Sequence, residues 1–402
     1  MRILHVDKML FAPSGVSSYV RRLAQLQRQA GHQVHVFTCR LDSSPIDDTF
    51  PPYVDFKARH RPTDLWRMIH NSLAAKLLGR FLNDHPVDVA HVHNLYHHLT
   101  PSVLGVLGRR GVPTVMTVHD YRLACPTRHF LRPDGLCSRC WPHRLYHAAS
   151  PRCAGWVGAA LAMETAVQRW LGRYRRHVGV FLCPTEFMRR IVCGLAIPRS
   201  RAAVFRNVVD DISELPPAPV DCDTVLFAGR LSDEKGPQRM LDLARRLDWV
   251  KVVLAGDGPC RQSLAEQVRG EDLANVAMPG HVSQPQLLHY LSAAAAVVMP
   301  SRAMENSPQI MLEAMLAGRC VIVPDQPPLR EWVQDGRTGR LFACDDTQSL
   351  VKVVQEVLAD PPGRQAMCRR ARELVLQRHD PQRLLSQVQS HYQRASRLCT
   401  SR

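Results

Sequence analysis

The sequence lacks the features that would place it among several other classes of protein. No apolar run in its 402 residues approaches the roughly 18 to 20 residues that a membrane-spanning helix needs, and the N-terminal MRILHVDKML has no apolar signal-peptide core. Low-complexity stretches are absent, and 29 Pro and 22 Gly are spread along a chain that is 45% hydrophobic. These absences exclude collagenous, disordered and integral membrane proteins, and they predict a globular protein of the cytoplasm.

A disulfide framework is also not indicated, because the 13 cysteines are odd in number and no secretory signal precedes them. Four of them fall in one loop-like segment and include a Cys-x-x-Cys pair; they are Cys125, Cys137, Cys140 and Cys153. Four thiols suit a closed tetrahedral zinc site that would hold together a loop with little core of its own. Reduced cysteines without metal are the alternative, and the spacing leaves both open.

Basic residues outnumber acidic residues in only one half of the chain. Residues 1–207 hold 29 Lys and Arg against 12 Asp and Glu, whereas residues 208–402 hold 23 against 24. The stretch 170–179 interleaves aromatic residues with Arg173, Arg175 and Arg176. The positive charge of this half would suit nucleic acid, anionic lipid or a phosphorylated substrate as a partner. The stretch 170–179 could also be an ordinary solvated helix face. No helix-turn-helix, RNA-binding or zinc-finger signature supports nucleic acid.

Short β-rich runs alternate with helical patterns in both halves of the chain. The runs lie at 2–6, 33–38, 87–93, 113–118 and 179–184, and again at 224–228, 251–255, 296–300 and 320–324. Runs this apolar predict buried parallel strands, and their alternation with helices predicts two doubly wound α/β domains. A Pro- and Asp-rich stretch at 208–222 predicts a linker, which leaves domains at 1–207 and 223–375.

The second half carries three candidate ligand-binding motifs after predicted strands. They are SRAMENSPQIMLEAMLAG with Glu305 and Glu313, FAGRLSDEKG with Arg230 and Lys235, and LAGDGP with Gly256, Asp257 and Gly258. Carboxylates suit the hydroxyls of a sugar or ribose, two cations ahead of a helix suit a diphosphate, and glycines let a ligand approach the backbone. Taken singly, each motif also fits an ordinary surface loop.

Two positions in the first half are candidates on the same reasoning. Gly15 lies at the turn between the first predicted strand and the following helix, where a phosphate could approach the backbone. His119 and Asp120 follow the strand at 113–118, at the sheet edge where catalytic groups collect in open α/β folds. A histidine there can hydrogen-bond a hydroxyl or transfer a proton, although a histidine that only packs on its neighbours is common.

In order and spacing, these motifs resemble the retaining glycosyltransferases of family 4, which have the GT-B fold. The resemblance covers nearly the whole chain, and its most specific parts are the Glu305 to Glu313 pair with its trailing EAMLAG, the GRLSDEKG loop, the GDGP turn and His119 in VHDY. It implies an α/β protein of two doubly wound Rossmann-like domains facing a central cleft. It also implies that a C-terminal helix at 376–402 crosses back to the first domain.

The resemblance further implies a role for each matching residue. Arg230 and Lys235 would neutralise the diphosphate of a nucleotide diphosphate sugar, Glu313 would hold the ribose, and Glu305 would contact the transferred sugar. His119 would contact that sugar near the reaction centre, and the nucleotide sugar would also lie against Ser307, Pro308, Gly15 and the GDGP turn at Gly256, Asp257 and Gly258. No bound metal would be required for transfer, since the cationic side chains do its electrostatic work.

Three positions depart from the family pattern. Ser14 stands beside Gly15 where a second glycine is common, Asn306 and Ser307 replace a Gly-aromatic pair, and Val208 follows Asn207 where glycine is usual. Because of the change at Asn306 and Ser307, family precedent does not identify the donor sugar.

We expect a cytoplasmic retaining glycosyltransferase, peripheral at the inner face of the membrane. Its acceptor would be an anionic or lipid-linked glycan, and its pathway cell-surface polysaccharide, lipopolysaccharide or glycolipid biosynthesis. The alternatives are a GT-B-fold sugar nucleotide epimerase and a non-catalytic basic module that binds nucleic acid or membrane.

Overall fold

The computed structural model describes residues 1–10, 14–40, 50–51, 67–209, 212, 215 and 222–400. The chain divides into two compact units, one of Met1–Arg128, Ser138–Val208 and Pro381–Arg402, the other of His129–Cys137 and Val209–Asp380. The division after Val208 falls at the start of the predicted linker. The structure differs from the prediction in placing 129–137 and 376–380 with the second unit. Within the described residues, no helix is both long and apolar enough to cross a membrane.

The first unit is built on six parallel strands in the order β2-β1-β3-β4-β7-β8. The strands are β1 Arg2–Val6, β2 Gln33–Phe37, β3 Val89–Val92, β4 Thr114–Thr117, β7 Val180–Cys183 and β8 Ala202–Val204. Strand β1 pairs with β2 on one side and with β3 on the other, and in the latter register His5 lies opposite His91. The sheet is therefore doubly wound, with the reversal of strand order at β1.

Helices of the first unit follow its strands and cover the sheet. They are α1 Gly15–Gln29, α2 Ser72–Asp84, α3 Ser102–Arg109, α4 Gly155–Leu171, α5 Arg173–His177 and α6 Glu186–Cys193. The C-terminal helix, Pro381–Thr400, belongs to this unit as well. Its Leu384, Val388, Tyr392 and Ala395 recur at helical spacing and are buried in the same core as Val115. The prediction that the terminal helix packs on the first domain is confirmed.

The second unit repeats the architecture with six parallel strands in the order β11-β10-β9-β12-β13-β14. The strands are β9 Thr224–Ala228, β10 Lys251–Ala255, β11 Val276–Gly280, β12 Ala296–Val298, β13 Cys320–Pro324 and β14 Arg340–Phe342. A short antiparallel hairpin, formed by β5 Leu131–Arg132 and β6 Gly135–Leu136, also belongs to this unit. The helices are α7 Gln238–Arg246, α8 Arg261–Gly270, α9 Gln284–Ala293, α10 Gln309–Leu316, α11 Thr347–Ala359 and α12 Pro361–Arg378, and we call the terminal helix Pro381–Thr400 α13.

Two hydrophobic cores sandwich the second sheet. Val225 and Phe227 of β9 belong to one core, whereas Leu226 between them belongs to the other. Successive side chains of a strand point to opposite faces, so a central strand buried on both faces must be apolar at every position. This explains why the sequence shows uninterrupted apolar runs such as VLFA at 225–228 rather than an alternating pattern.

Candidate active site

Three of the sequence motifs meet at one edge of the second sheet. Strand β9 pairs with β10 on one side and with β12 on the other, so the strand order reverses at β9. In open α/β sheets, ligands bind beyond the carboxyl ends of the strands at this reversal. The segments that follow these three strands are GRLSDEKG, GDGP and SRAMENSP. The fold therefore brings together the motifs that the sequence placed up to 80 positions apart.

The first two of these loops are interlocked through their backbones. Leu231 N–H donates to Asp257 O at 2.9 Å, and Gly229 N–H donates to Ala255 O at 3.0 Å. Gly256 and Gly258 have φ values of +148° and +159°, and a Cβ on either would lie 1.8 Å and 2.3 Å from the carbonyl oxygens of Gly229 and Leu231. Only glycine fits such contacts, so these two residues are needed to bring the loops together.

Asp257, between the two glycines, serves its own turn. One carboxylate oxygen accepts from Gly258 N–H at 2.7 Å, and the other lies 3.2 Å from the guanidinium of Arg261. The side chain is about half exposed. In this structure Asp257 therefore orients the turn ahead of α8, and its role toward a nucleotide stays a prediction.

The third loop is joined to the first by an ion pair. Lys235 Nζ lies 2.7 Å from Glu305 Oε1, and Ser301 Oγ donates to the same carboxylate oxygen. Gln326, fully buried beyond β13, holds the backbone: its amide oxygen accepts from Glu305 N–H at 2.8 Å, and its amide nitrogen donates to Ala303 O at 2.9 Å. The Glu305 carboxylate is thus oriented by a lysine, a serine and a glutamine-braced loop.

The other predicted donor-site residues of this unit differ in exposure. Ser307 and Glu313 are 8% and 6% exposed, and Pro308 caps the N-terminus of α10, on which Glu313 lies. Arg230 is exposed after β9. Gln309 is the first helical residue of α10. The structure brings Lys235 and Glu305 into direct contact, which the sequence did not predict.

In the first unit, Gly15 is the first residue of α1 and follows Ser14, whose hydroxyl accepts from Ser17 N–H at 3.1 Å. A serine cap of this kind satisfies one of the free donors of the helix N-terminus. Residues 11–13, just before it, lie outside the described part of the chain.

His119 follows β4, and its imidazole is packed among aromatic rings. Its Nε2 lies 3.0 Å from His93 Nδ1, and the Tyr19 ring meets it edge-on at a centroid distance of 5.0 Å. Burial lowers the pKa of His119 to about 4, with the Asp120 charge opposing the shift. The imidazole is therefore neutral near pH 7 and can exchange hydrogen bonds with a hydroxyl, but it supplies no positive charge. Asp120 itself caps the short helix Tyr121–Leu123.

No three of the four cysteines predicted as zinc ligands, all of them described, have their sulfur atoms within metal-binding reach of one another. Cys140 is buried with Leu145, Ala148 and Ala162, and Cys153 packs against that cluster. In the described part of the chain, only one group of three candidate ligands has its donor atoms within metal-binding reach, and it consists of His5, His91 and His93. Zinc at Cys125, Cys137, Cys140 and Cys153 stays a prediction, and in the structure Cys140 both packs in this cluster and donates its thiol to Leu145 O at 3.8 Å.

Comparison with known proteins identifies the family of the chain. Residues 13–212 match the model of "Glycosyltransferase Family 4", and residues 209–374 match that of "Glycosyl transferases group 1". The chain belongs to the family 4, group 1 glycosyltransferases. The family recognised from the motifs is confirmed, retention of configuration stays a prediction, and the two matches meet where the structure divides the chain.

Individual members of the family are distant from this chain. A glycogen synthase of Mycobacterium tuberculosis is 29% identical over 61% of this chain, and the aligned part spans 61% of that enzyme's own length. A phosphatidyl-myo-inositol mannosyltransferase of Mycolicibacterium smegmatis is 24% identical over 96% of this chain and 91% of its own. The crystal structure of Anabaena HepE in complex with UDP and glucose matches at a TM-score of 0.66 and 17% identity, covering 97% of this chain and 98% of that one.

The structural likeness confirms the predicted GT-B fold of two Rossmann-like domains. Neither the epimerase nor the non-catalytic module is favoured by these relatives, since the curated proteins named above are a synthase and a transferase of sugars.

Several residues of this glycosyltransferase were missed by sequence reasoning. Gln326 and Ser301, which orient Glu305, carry no motif of their own. In the first unit, the buried ion pair of Arg122 with Glu164 was also missed, because the partners are 42 positions apart. One signal was available: His91 and His93 alternate at the end of the β-rich run 87–93, which predicts that both lie on one face.

Proposed function

We propose that the protein transfers a sugar, with retention of anomeric configuration, from a nucleotide diphosphate sugar to a glycan or lipid-linked acceptor. The observation that carries this proposal is the meeting of three loops at the strand-order reversal of the second sheet, with Lys235 and Glu305 in contact there. A carboxylate can accept hydrogen bonds from sugar hydroxyls, and fixed cations near a diphosphate lower the cost of its departure as a leaving group.

The nucleotide part of the proposal is supported by relatives. HepE was crystallised with UDP and with glucose, and the family match covers the unit that contains Lys235 and Glu305. We assign Arg230 and Lys235 to the diphosphate, Glu305 to the transferred sugar, Glu313 to the ribose, and Ser307, Pro308, Gly15, Gly256 and Gly258 to close backbone contacts with the donor. His119 would contact the sugar as a neutral hydrogen-bonding group. Metal would not be required for transfer.

The direct test uses the full chain and a panel of sugar nucleotides. A donor at about 100 times its dissociation constant adds about 2.7 kcal/mol to stability, so thermal unfolding finds it without knowledge of the acceptor. Radiolabelled transfer or slow hydrolysis of that donor then measures activity, and the anomeric configuration of the product is read by NMR. Stabilisation by no sugar nucleotide, together with no turnover, would refute the proposal.

The acceptor side is supported by the charge of the first unit. This unit holds 32 Lys and Arg against 11 Asp and Glu, whereas the second holds 20 against 25. The donor is itself an anion, yet the unit assigned to it is the acidic one. The basic excess therefore suits a second anion, and a lipid-linked diphosphate or an anionic lipid surface fits it. The relative that acts on phosphatidyl-myo-inositol is named for a lipid acceptor.

An apolar face on the same unit favours a membrane over a free anion. Nine large hydrophobic residues are exposed in the described part of the chain, and five of them lie within 25 positions: Tyr146, Trp156, Val157, Met163 and Trp170. Trp156, Met163 and Trp170 are spaced by seven residues on α4, which puts them on one side of the helix. Tryptophan with nearby arginine is the composition of helices that lie in a membrane interface.

The charges around α4 argue against a second copy of this chain as the occupant of that face. Exposed Arg152, Arg175 and Arg176 flank the helix, and Glu164, its acidic residue, is buried against Arg122. Two such faces packed on each other would bring like charges together, which an anionic bilayer would not. We therefore assign the α4 face to an anionic membrane surface at which the enzyme meets a lipid-linked acceptor.

A further inference from the structure

A chain of hydrogen bonds connects Gln27 with His119 through the interior of the first unit. Gln27 Oε1 lies 2.8 Å from His5 Nε2, His5 Nδ1 lies 3.0 Å from His93 Nε2, and His93 Nδ1 lies 3.0 Å from His119 Nε2. Gln27, His5 and His93 are buried. Every link joins ring nitrogens or an amide oxygen, so the chain has a direction.

The amide oxygen sets that direction, because it can only accept. His5 must then carry its proton on Nε2, and a neutral imidazole has a single N–H, so its Nδ1 accepts from His93 Nε2. By the same reasoning, His93 Nδ1 accepts from His119 Nε2. His119 is left with its proton on Nε2 and a lone pair on Nδ1. Burial keeps all three rings neutral: it lowers the pKa of His5 and His119 to about 4 and that of His93 well below its ordinary value.

A second branch of hydrogen bonds leads from the nitrogen of the same Gln27 amide. This nitrogen donates to the Tyr392 hydroxyl at 2.8 Å, Tyr392 then donates to His91 Nδ1 at 2.9 Å, and His91 Nε2 lies 2.7 Å from Thr117 Oγ1. Rotating the amide by 180° would reverse every bond of both branches at once. The interior thus has two self-consistent arrangements, and the Gln27 amide distinguishes them.

A metal ion is the competing explanation for these rings, because donor nitrogens of His5, His91 and His93 lie within 4.8 Å of one another. However, all six ring nitrogens of the three already have a hydrogen-bond partner. The group also contains no carboxylate, so a divalent ion would carry an uncompensated charge into a fully buried site. The hydrogen-bonded chain is the better account.

We propose that Gln27, acting through His5 and His93, is a positioning residue that decides which ring nitrogen of His119 carries the proton. The part of this proposal that concerns catalysis rests on the proposed function, in which His119 contacts the donor sugar. With its proton on Nε2, His119 has an Nδ1 that can accept a hydrogen bond but cannot donate one. The sugar group matched to it is a hydroxyl that donates its hydrogen, and a wrong tautomer would present a donor in its place.

Nitrogen NMR of histidine-labelled protein tests the tautomer directly, because the protonated and unprotonated ring nitrogens of a neutral imidazole have distinct shifts. We expect wild-type His119 to carry its proton on Nε2. Gln27→Leu and Gln27→Met remove the accepting oxygen, so both tautomers of His119 should become populated. Gln27→Glu keeps an acceptor toward His5 and should preserve the wild-type tautomer. Gln168→Leu is the matched control, because Gln168 is also buried in the first unit but lies outside both branches, with its amide nitrogen donating to Ile69 O.

Kinetics supply the second measurement. If His119 acts only in the tautomer with the proton on Nε2, kcat/KM for the donor in the Leu and Met variants should be proportional to the fraction of that tautomer. Equal populations of the two tautomers would lower kcat/KM about twofold. Thermal unfolding verifies that the variants are folded. If the Leu and Met variants do not fold, Gln27→Glu still tests the chain of hydrogen bonds from Gln27 to His119.

Two results would overturn the proposal. One is a His119 proton on Nδ1 in the wild type or an unchanged tautomer in all Gln27 variants, and the other is a stoichiometric metal bound to the purified protein and lost in His5→Gln. The spectra need no substrate, so a protein that transfers no sugar would refute the proposed function and leave the tautomer result standing.

Discussion

Lys235 Nζ lies 2.7 Å from Glu305 Oε1, so one of the two cations assigned to the diphosphate is bound to the carboxylate assigned to the transferred sugar. The Glu305 side chain is 9% exposed and that of Lys235 is 36% exposed. A carboxylate this buried needs a partner, and the lysine supplies it. The pair therefore has two roles that can be separated: it orients Glu305, and it places a positive charge beside the loop after β9.

Removing Lys235 should lower both stability and turnover. Lys235→Ala leaves Glu305 without its cation, so we expect a lower Tm, and by analogy with the loss of one oxyanion donor we expect turnover to fall by about 10² to 10³. Adding Glu305→Gln should recover the Tm but not the turnover. Arg230→Ala is the matched comparison: because Arg230 is exposed, its loss should reduce turnover with little change in Tm. Near-wild-type transfer by both single variants would rule out the diphosphate assignment.

The two glycines of the GDGP turn predict a steric effect. An added methyl group would lie 1.8 Å from Gly229 O at position 256 and 2.3 Å from Leu231 O at position 258. Gly256→Ala and Gly258→Ala should each cost about 2 to 4 kcal/mol, which for a unit of this size lowers Tm by roughly 4 to 16 °C. Gly270→Ala is the control, because the space around Gly270 is open. If Gly256→Ala and Gly258→Ala left both the donor affinity and the Tm unchanged, the close packing of the two loops would be contradicted.

The sequence was sufficient for the fold because the second sheet is buried on both faces. The runs VLFA at 225–228 and VVLA at 252–255 are apolar at every position for that reason, and parallel strands place the following loops at one edge without further information. The site could be predicted only to the level of loops. Which side chains touch depends on strand order and register, and this is why Lys235 was assigned to a ligand when its nearest partner is Glu305, and why Gln326 was missed.

The histidines of the first unit predict a dependence of stability on pH. The pKa of His5 and that of His119 are lowered to about 4 by burial, from about 6.5 in an unfolded chain. Between these values the unfolded chain binds more protons, so the stabilisation is complete above pH 6.5 and is lost as pH falls toward 4, by up to about 1.4 kcal/mol per pH unit for each ring.

Urea unfolding between pH 4.5 and 7.5 measures this slope. In His5→Gln, the free energy of unfolding should change less steeply with pH than in the wild type. In the wild type, titration of His119 should not change kcat/KM between pH 6 and 8, because this ring stays neutral there. A steeper slope in the variant would contradict the assignment of burial as the cause.

The cysteines allow a comparison of two roles. A zinc site predicts about one zinc per chain, and it predicts that Cys137→Ser and Cys140→Ser lower Tm alike and release the metal, since each removes one ligand. Packing alone predicts an asymmetry, because Cys140 is buried against Leu145 and Ala148 whereas Cys137 is half-buried. Metal analysis of protein purified under reducing conditions, followed by thermal unfolding of both variants and of the double variant, distinguishes the two. Metal-free protein with an unchanged Tm in the double variant would end the zinc hypothesis.

The last prediction concerns the α4 face, where Trp156, Met163 and Trp170 are exposed beside arginines in the unit that carries the positive charge of the chain. Binding to vesicles of phosphatidylcholine with phosphatidylglycerol should exceed binding to phosphatidylcholine alone and should weaken with salt. Trp156→Ala/Trp170→Ala should reduce it at least about tenfold, since each ring would lose about 1 kcal/mol or more of apolar burial. Trp249→Ala is the matched control, because Trp249 is exposed on the second unit.

Replacing Arg173, Arg175 and Arg176 by Ala should separate charge from apolar contact at the same face. At about 1 kcal/mol for each arginine near an anionic surface, affinity should fall roughly fivefold per residue and the salt dependence should decrease. Equal binding to neutral vesicles, or none to anionic ones at low salt, would contradict the membrane assignment. A dimer in sedimentation velocity that is lost in the tryptophan variant would instead assign the face to self-association, against the repulsion that its arginines imply.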